Sequence, residues 1–251
     1  MKKIMLIAAA AAGLVAMADG VESGIVGYNT VSVTSGKWYM IAPQFEGAGT
    51  ETSATADLLA IMTVDGVTAE TWANRASASQ IQVFNPATSG YTIYYYTTNA
   101  GTTGWRRTPT IATEIPVSFG AGVWLKIVTA SEGANITLAG AVKETNSFTV
   151  NIGEDGTWQI VSNPFPTPIT QANLTTSGVT AETWANRANA SQIQVFNPAT
   201  SGYTIYYYTS GNGGTFWRKS PAAPAATEEI CPVGQAVWVK ALSSGSLTFS
   251  M

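Results

Sequence analysis

Residues 66–97 read GVTAETWANRASASQIQVFNPATSGYTIYYYT, and residues 178–209 repeat that string with a single change, Ser77 against Asn189. The period inside the string is two rather than 3.6. Gln80-Ile81-Gln82-Val83-Phe84 alternates in polarity, and Tyr91-Thr92-Ile93-Tyr94-Tyr95-Tyr96-Thr97 is dense in β-branched and aromatic residues, the composition that suits a pleated surface. Between them lies Asn85-Pro86-Ala87-Thr88-Ser89-Gly90. Proline presets φ there and glycine permits a positive φ, so the stretch predicts a hairpin with a long loop. Because strand side chains alternate, each hairpin has two faces. Ile81, Val83 and Ile93 are the expected core set, and a Gln/Thr/Tyr face is left for water or a partner.

Outward from this block the two copies still correspond, with decreasing identity. WYMIAPQF (38–45) matches WQIVSNPF (158–165), GWRRTP (104–109) matches FWRKSP (216–221), and GAGVWLKI (120–127) matches GQAVWVKA (234–241). VGYNTVSVTSGKW (26–38) corresponds to VKETNSFTVNIGEDGTW (142–158). A repeat this long marks a duplicated structural unit rather than a short array motif. Further strands are expected at 30–33, 38–42, 123–128 and 135–138, with counterparts at 147–152, 158–162, 236–241 and 246–249. Only 56–62 (ADLLAIM) reads as helical. Short strands separated by Gly/Pro turns give an all-β fold class: two tandem β-sandwich-like domains related by internal duplication. The expected division is a signal peptide at 1–18, a first repeat unit at 19–140 and a second at 141–251. The alternative is one continuous sheet structure shared by the halves.

The signal reading rests on Lys2 and Lys3, the apolar run from Ile4 to Val15 and the small residues Ala16-Met17-Ala18. As a helix that run would rise only about 18 Å, short of a bilayer core of roughly 30 Å. Export to the cell surface, outer envelope or extracellular space is therefore expected, with no transmembrane span in the mature chain. Charged residues make up 11% of the chain and the net charge is −3, against a usual charged share of about 25%. Such a chain lacks the clustered Lys and Arg that nucleic-acid binding needs. Sparse charge also gives little repulsion between copies.

Catalytic chemistry is poorly supplied. The chain has no histidine, which removes the usual general base and the commonest metal ligand. Its one cysteine, Cys231, has no internal disulfide partner and reads as a small semi-buried side chain. Glu70 and Glu182 are the only acids placed identically in both copies, and pairing with Arg75 and Arg187 is their expected role. Gly153-Glu154-Asp155-Gly156 reads as a polar hairpin turn. No catalytic residue, metal ligand or cofactor is expected.

The repeated aromatic residues carry the remaining signal. Trp72/Trp184, Tyr94/Tyr206, Tyr96/Tyr208 and Trp105/Trp217 recur, the last pair followed by Arg106-Arg107 or Arg218-Lys219. Flat rings beside amide and guanidinium donors suit either a sugar platform or a protein interface. The candidate binding face is Gln82, Tyr94, Tyr96, Trp105 and Arg106, with Gln194, Tyr206, Tyr208, Trp217 and Arg218 in the second copy. In the competing reading the Trp residues fill the core and the Tyr face packs on a neighbouring sheet.

The order of motifs resembles a large group of exported bacterial β-repeat proteins of the cell surface. The residues carrying that resemblance are VESGIVGYNTVSV, the W-x-x-x-x-x-x-F segment, the SQIQVFN hairpin, the G-x-x-V-W-[LV]-K strand and NITLAGAV. WQIVSNPFPTPI is similar to the W-N-L-x-G-N-P-F-P segments of secreted adhesin-like proteins, a form from which WYMIAPQF departs. The resemblance implies an exported, non-catalytic surface or envelope role. Export, near-identical units, low charge and the lack of catalytic chemistry together point to a structural or adhesive protein that assembles with itself or with other envelope proteins. A pair of carbohydrate-binding modules is the alternative reading, with glycans as partners.

Overall fold

The structure, a computed structural model, describes residues 26–46, 55–129, 133–142, 145–153, 156–211 and 213–251. The expected signal segment 1–18 and the acids of the 153–156 turn lie outside these residues. In each half the repeated hairpin is the centre of a six-stranded sheet. In the first half the path runs Trp38–Ile41, Val123–Lys126, Gln80–Asn85, Gly90–Asn99, Glu70–Thr71, with Thr102–Arg106 also paired to Gly90–Asn99. In the second it runs Trp158–Ser162, Ala236–Lys240, Gln192–Asn197, Gly202–Gly211, Glu182–Thr183, with Gly214–Arg218 on Gly202–Gly211. The strand order is the same in both.

A smaller sheet covers one face of each large one. Val26–Val33 pairs with Ala134–Val142, which also takes Phe45–Glu46 and Met62–Val64. The counterpart joins Ser147–Ile152, Gly245–Ser250 and Leu174–Ser177. Between the layers of the first half Ile41, Ile81, Val123 and Leu125 pack with Val33, Ile136 and Leu138. In the second half Val161, Ile193, Val237 and Val239 pack with Ile152, Leu247 and Phe249. Each half is thus a β-sandwich whose alternating strands bury one side of each sheet.

Several expectations need adjustment. The strand Ala134–Val142 passes through Gly140, so the crossing between halves falls after the expected boundary. The helix over 56–62 shrinks to Leu58–Ile61, capped by Asp57, whose carboxylate accepts from Leu59 N at 3.0 Å and Ile115 N at 2.8 Å. Short strands on both sides of it, Thr55–Asp57 and Met62–Val64, claim the remaining residues. Two 3₁₀ helices, Trp72–Ser77 and Trp184–Asn189, were not expected.

The hairpin faces also differ from expectation. The loop closes on the pair Asn85–Gly90, leaving four residues between them, so odd positions on one strand oppose even positions on the other. Ile81 therefore faces Tyr94, and Ile93 sits with Gln82 on the opposite side. The loop is held by Asn85, whose side-chain oxygen accepts from Ala87 N at 3.0 Å, and by a left-handed Ser89 at φ 50°. The positive φ falls on Ser89 and its copy Ser201 rather than on the glycines that follow.

The large sheets turn their uncovered faces toward each other. Met40, Ile160, Phe196 and Ala236 form a separate buried cluster, flanked by Trp38, Phe84, Trp124 and Trp238. Backbone bonds join the edges reciprocally: Ala42 N donates to Gly234 O at 3.0 Å, and Ser162 N to Gly120 O at 2.8 Å. Isolated bridges at Ile41–Gln235 and Ala121–Val161 accompany them. Gln44, buried, donates to Phe165 O and Asn163 O, and accepts from Asn29. The sheets stay distinct, yet the halves are joined through side chains and backbone alike.

Candidate functional site

The expected binding residues separate into two groups, because register places them on opposite faces. Tyr94 and Trp105 are buried in the first core, and Tyr206 and Trp217 in the second. Tyr96 and Tyr208 pack against the same cores, at ring-centroid distances of 5.3 Å from Trp105 and 5.0 Å from Trp217. Trp217 also donates its indole N–H to Thr176 Oγ1 at 2.8 Å, and Tyr206 its hydroxyl to Glu229 O at 2.9 Å. Four of these six rings are buried, and Tyr96 and Tyr208 are partly covered on the same side. The expected face fails because an even-numbered loop residue count sends these tyrosines to the side of Ile81.

Arg106 and Arg218 are corrected in the same way. Arg106 is 2% exposed and Arg218 1%. Arg106 donates to the carbonyls of Thr97, Thr102 and Pro109 and to Thr102 Oγ1, at 2.7–3.3 Å. Arg218 repeats this with the carbonyls of Thr209, Gly211, Gly214 and Pro221. These guanidinium groups stitch a hairpin to the loop after it, and they pair the buried contacts at the Thr97 and Thr209 carbonyls. Arg75 and Arg187 do not form the expected ion pairs with Glu70 and Glu182. Each stacks 4.8 Å over the ring of Trp72 or Trp184 and donates to that tryptophan's carbonyl.

Gln82 and Gln194 lie on the other face, and there the structure assembles a site. One cleft of about 480 Å³ is lined by Trp38, Gln82, Tyr91, Trp124, Phe196, Ser201, Tyr203 and Trp238. A second, of about 340 Å³, is lined by Phe84, Ser89, Tyr91, Trp158, Gln194, Tyr203 and Trp238. The lists are near copies with the halves exchanged, so each cleft draws on both halves. They share Tyr91, Tyr203 and Trp238, which makes them neighbouring parts of one groove.

Two rows of rings build it. Trp38 meets Trp124 at 6.1 Å, Trp124 meets Phe196 across the halves at 4.8 Å, and Phe196 meets Tyr203 at 5.3 Å. The mirror row is Trp158–Trp238 at 5.9 Å, Trp238–Phe84 at 4.9 Å and Phe84–Tyr91 at 5.2 Å. Most of these contacts are edge-on, the arrangement that sets a ring's positive rim against its neighbour's negative face. Lys126 and Lys240 cap the rows, 5.6 and 5.9 Å from the ring centroids of Trp38 and Trp158. At the far ends Tyr91 and Tyr203 remain 42% and 44% exposed.

Polar groups in the groove are few and fixed. Gln82 donates to Gln80 Oε1 at 3.1 Å, and Gln80 in turn donates to Ala76 O. Gln194 donates to Gln192 Oε1 at 3.0 Å. These bonds orient the amides and leave their carbonyl oxygens available. Partial burial pushes the Tyr91 and Tyr203 phenols above their ordinary range, against the opposing influence of the Trp124 and Trp238 side chains. Both therefore stay protonated at neutral pH, each an O–H donor. No charged residue lines either cleft, and no group of three metal-ligating side chains occurs among the described residues.

Sequence reading missed the rings themselves. Trp38/Trp158, Phe84/Phe196, Tyr91/Tyr203 and Trp124/Trp238 all recur at matching positions of the copies, which was an available signal. The missing step was the parity of the hairpin loop. Cys231 is fully buried, and burial pushes its thiol up to about 12. No helix among the described residues is long and apolar enough to cross a membrane. No protein-family model, curated protein or solved structure matches this chain.

Proposed function

We propose that this chain is an exported, non-catalytic surface or envelope protein with an adhesive, structural role, and that it makes its contacts through the aromatic groove between its halves. The observation that carries this reading is the groove itself: eight rings from two reciprocal rows, Phe196 buried among them and Tyr91 and Tyr203 exposed at the ends, beside amides held by hydrogen bonds. Such a mixture of apolar lining and a few placed polar groups is typical of binding sites. Nothing in its lining is suited to move a proton at neutral pH, since histidine is absent and the carboxylates lie elsewhere. Export is supported by Lys2, Lys3 and the apolar run to Val15. The scarcity of charge favours association of copies on a surface.

Antibody labelling of intact cells, together with binding of the purified chain to isolated envelope material, tests the reading. Labelling without permeabilisation and saturable envelope binding are expected. A protein found only inside intact cells, or one indifferent to envelope material, would overturn it.

A further inference from the structure

The groove's chemistry narrows what it can hold. Its lining carries no formal charge, so a cationic ligand would lose hydration without gaining a counter-charge. An anionic one would meet Lys126 and Lys240 only at the ends of the rows, over the outermost tryptophans. An acyl chain would leave the side-chain carbonyl oxygens of Gln82 and Gln194, the hydroxyls of Ser89 and Ser201 and the O–H donors of two phenols uncompensated, which is costly for polar groups covered by a ligand. What matches is a molecule with an apolar face and a rim of uncharged hydroxyls.

Each cleft offers that pairing once. Trp124 with Phe196, or Trp238 with Phe84, supplies the apolar wall, and the glutamine carbonyl and tyrosine hydroxyl supply an acceptor and a donor. Volumes of about 340 and 480 Å³ fall within the range of small-molecule sites, roughly 300–1,000 Å³. Because Tyr91 and Tyr203 line both clefts, a ligand in one continues past the shared tyrosines into the other. That geometry favours a short linear chain over a single ring.

We propose that the groove binds a neutral oligosaccharide, with pyranose rings in both clefts across the shared tyrosines. This rests on the binding role proposed above and names the ligand class of the same site. It differs from the face the sequence suggested, because Tyr94, Tyr96 and Trp105 take no part.

Calorimetric titration and tryptophan fluorescence would be read with cello-, xylo- and manno-hexaose, and with hexagalacturonate as the charged comparison. Binding of at least one neutral hexamer is expected, with none of the charged one. Tyr91→Phe and Tyr203→Phe keep the rings that support the fold and remove one hydroxyl each. Each should weaken binding about tenfold, the equivalent of one hydrogen bond, and so should Gln82→Ala or Gln194→Ala. Tyr96→Phe, on the core face, should change nothing. Absence of neutral binding, equal binding of the charged hexamer, or indifference to all four groove variants would overturn the proposal.

Envelope material separates this failure from failure of the broader reading. Periodate, which cleaves vicinal diols, should abolish capture by the wild-type chain, and protease should not. Capture that survives periodate, is lost to protease and still depends on the groove variants overturns the saccharide while leaving the adhesive role in place.

Discussion

Gly122 sits at a close approach of the two halves. A Cβ added there would lie 2.1 Å from Ala236 Cβ, 2.8 Å from Ile160 Cγ2 and 3.1 Å from Ile41 O. Non-bonded carbons settle at about 3.5–4.0 Å, so Gly122→Ala forces the sheets apart by more than an ångström or displaces the Gly120–Ser162 backbone bond beside it. Overpacking of this kind costs about 1–3 kcal/mol. The gain from a less flexible unfolded chain returns about 0.4–1 kcal/mol, so a net loss of about 1–2 kcal/mol is expected. At about 2–4 °C per kcal/mol for a chain of this size, the Tm should fall by about 2–8 °C. Ala236→Gly alone removes the colliding methyl and should cost about 1 kcal/mol. Together the changes should cost less than their sum by about 1 kcal/mol, and the contacts with Ile160 and Ile41 make the rescue incomplete. Urea unfolding of the four proteins, followed by tryptophan fluorescence, gives the cycle. A neutral Gly122→Ala, or costs that add within about 0.5 kcal/mol, would refute the close packing of the halves.

Arg106→Ala strips donors from the buried carbonyl of Thr97 and the partly buried carbonyls of Thr102 and Pro109, and should destabilise the chain by about 1–3 kcal/mol in the same assay. Lysine at that position should recover little, because it cannot reproduce the guanidinium's spread of donors. Cys231 should stay unlabelled by a thiol reagent in the native protein and react promptly in denaturant; fast native labelling would contradict its burial. Burial raises the phenols of Tyr91, Tyr203, Tyr206 and Tyr208 above the ordinary tyrosine value of 10.0. Their contribution to stability is full below pH 10.0 and is lost as pH rises through the higher folded values. Stability insensitive to the phenols should therefore give way above pH 10, and absorbance titration should show a late-ionising group of tyrosines.

Alternating strands were legible because their signal is local. Ser147–Ile152 and Trp158–Ser162 begin and end as the sequence suggests, since polarity alternates up to a turn residue on either side. The hairpin at Asn85–Gly90 was legible as well, but its face assignment was not taken far enough. Counting the loop residues would have set Ile81 against Tyr94 and moved Ile93 and Tyr91 to the other side, with Gln82 and Phe84. The groove was less accessible still. It depends on the uncovered faces of two sheets meeting, and no local pattern states that Trp124 will touch Phe196. The 3₁₀ helix at Trp72–Ser77 left no periodic trace, because none of its residues is buried.

The reciprocal bonds between halves, Ala42 to Gly234 and Ser162 to Gly120, have a bearing on stoichiometry. An interface whose two sides are near copies accepts the first half of one molecule against the second half of another. Only a few residues separate Val142 from Ser147, so within one molecule the two sides are held at high effective concentration and closure on itself prevails in dilute solution. Crowded on a surface, the same contacts can be satisfied between neighbours by exchange of halves. Reciprocal exchange between two molecules closes a dimer, whereas one-way exchange leaves one half free at each end of an open chain; either product would rebuild the groove at each junction.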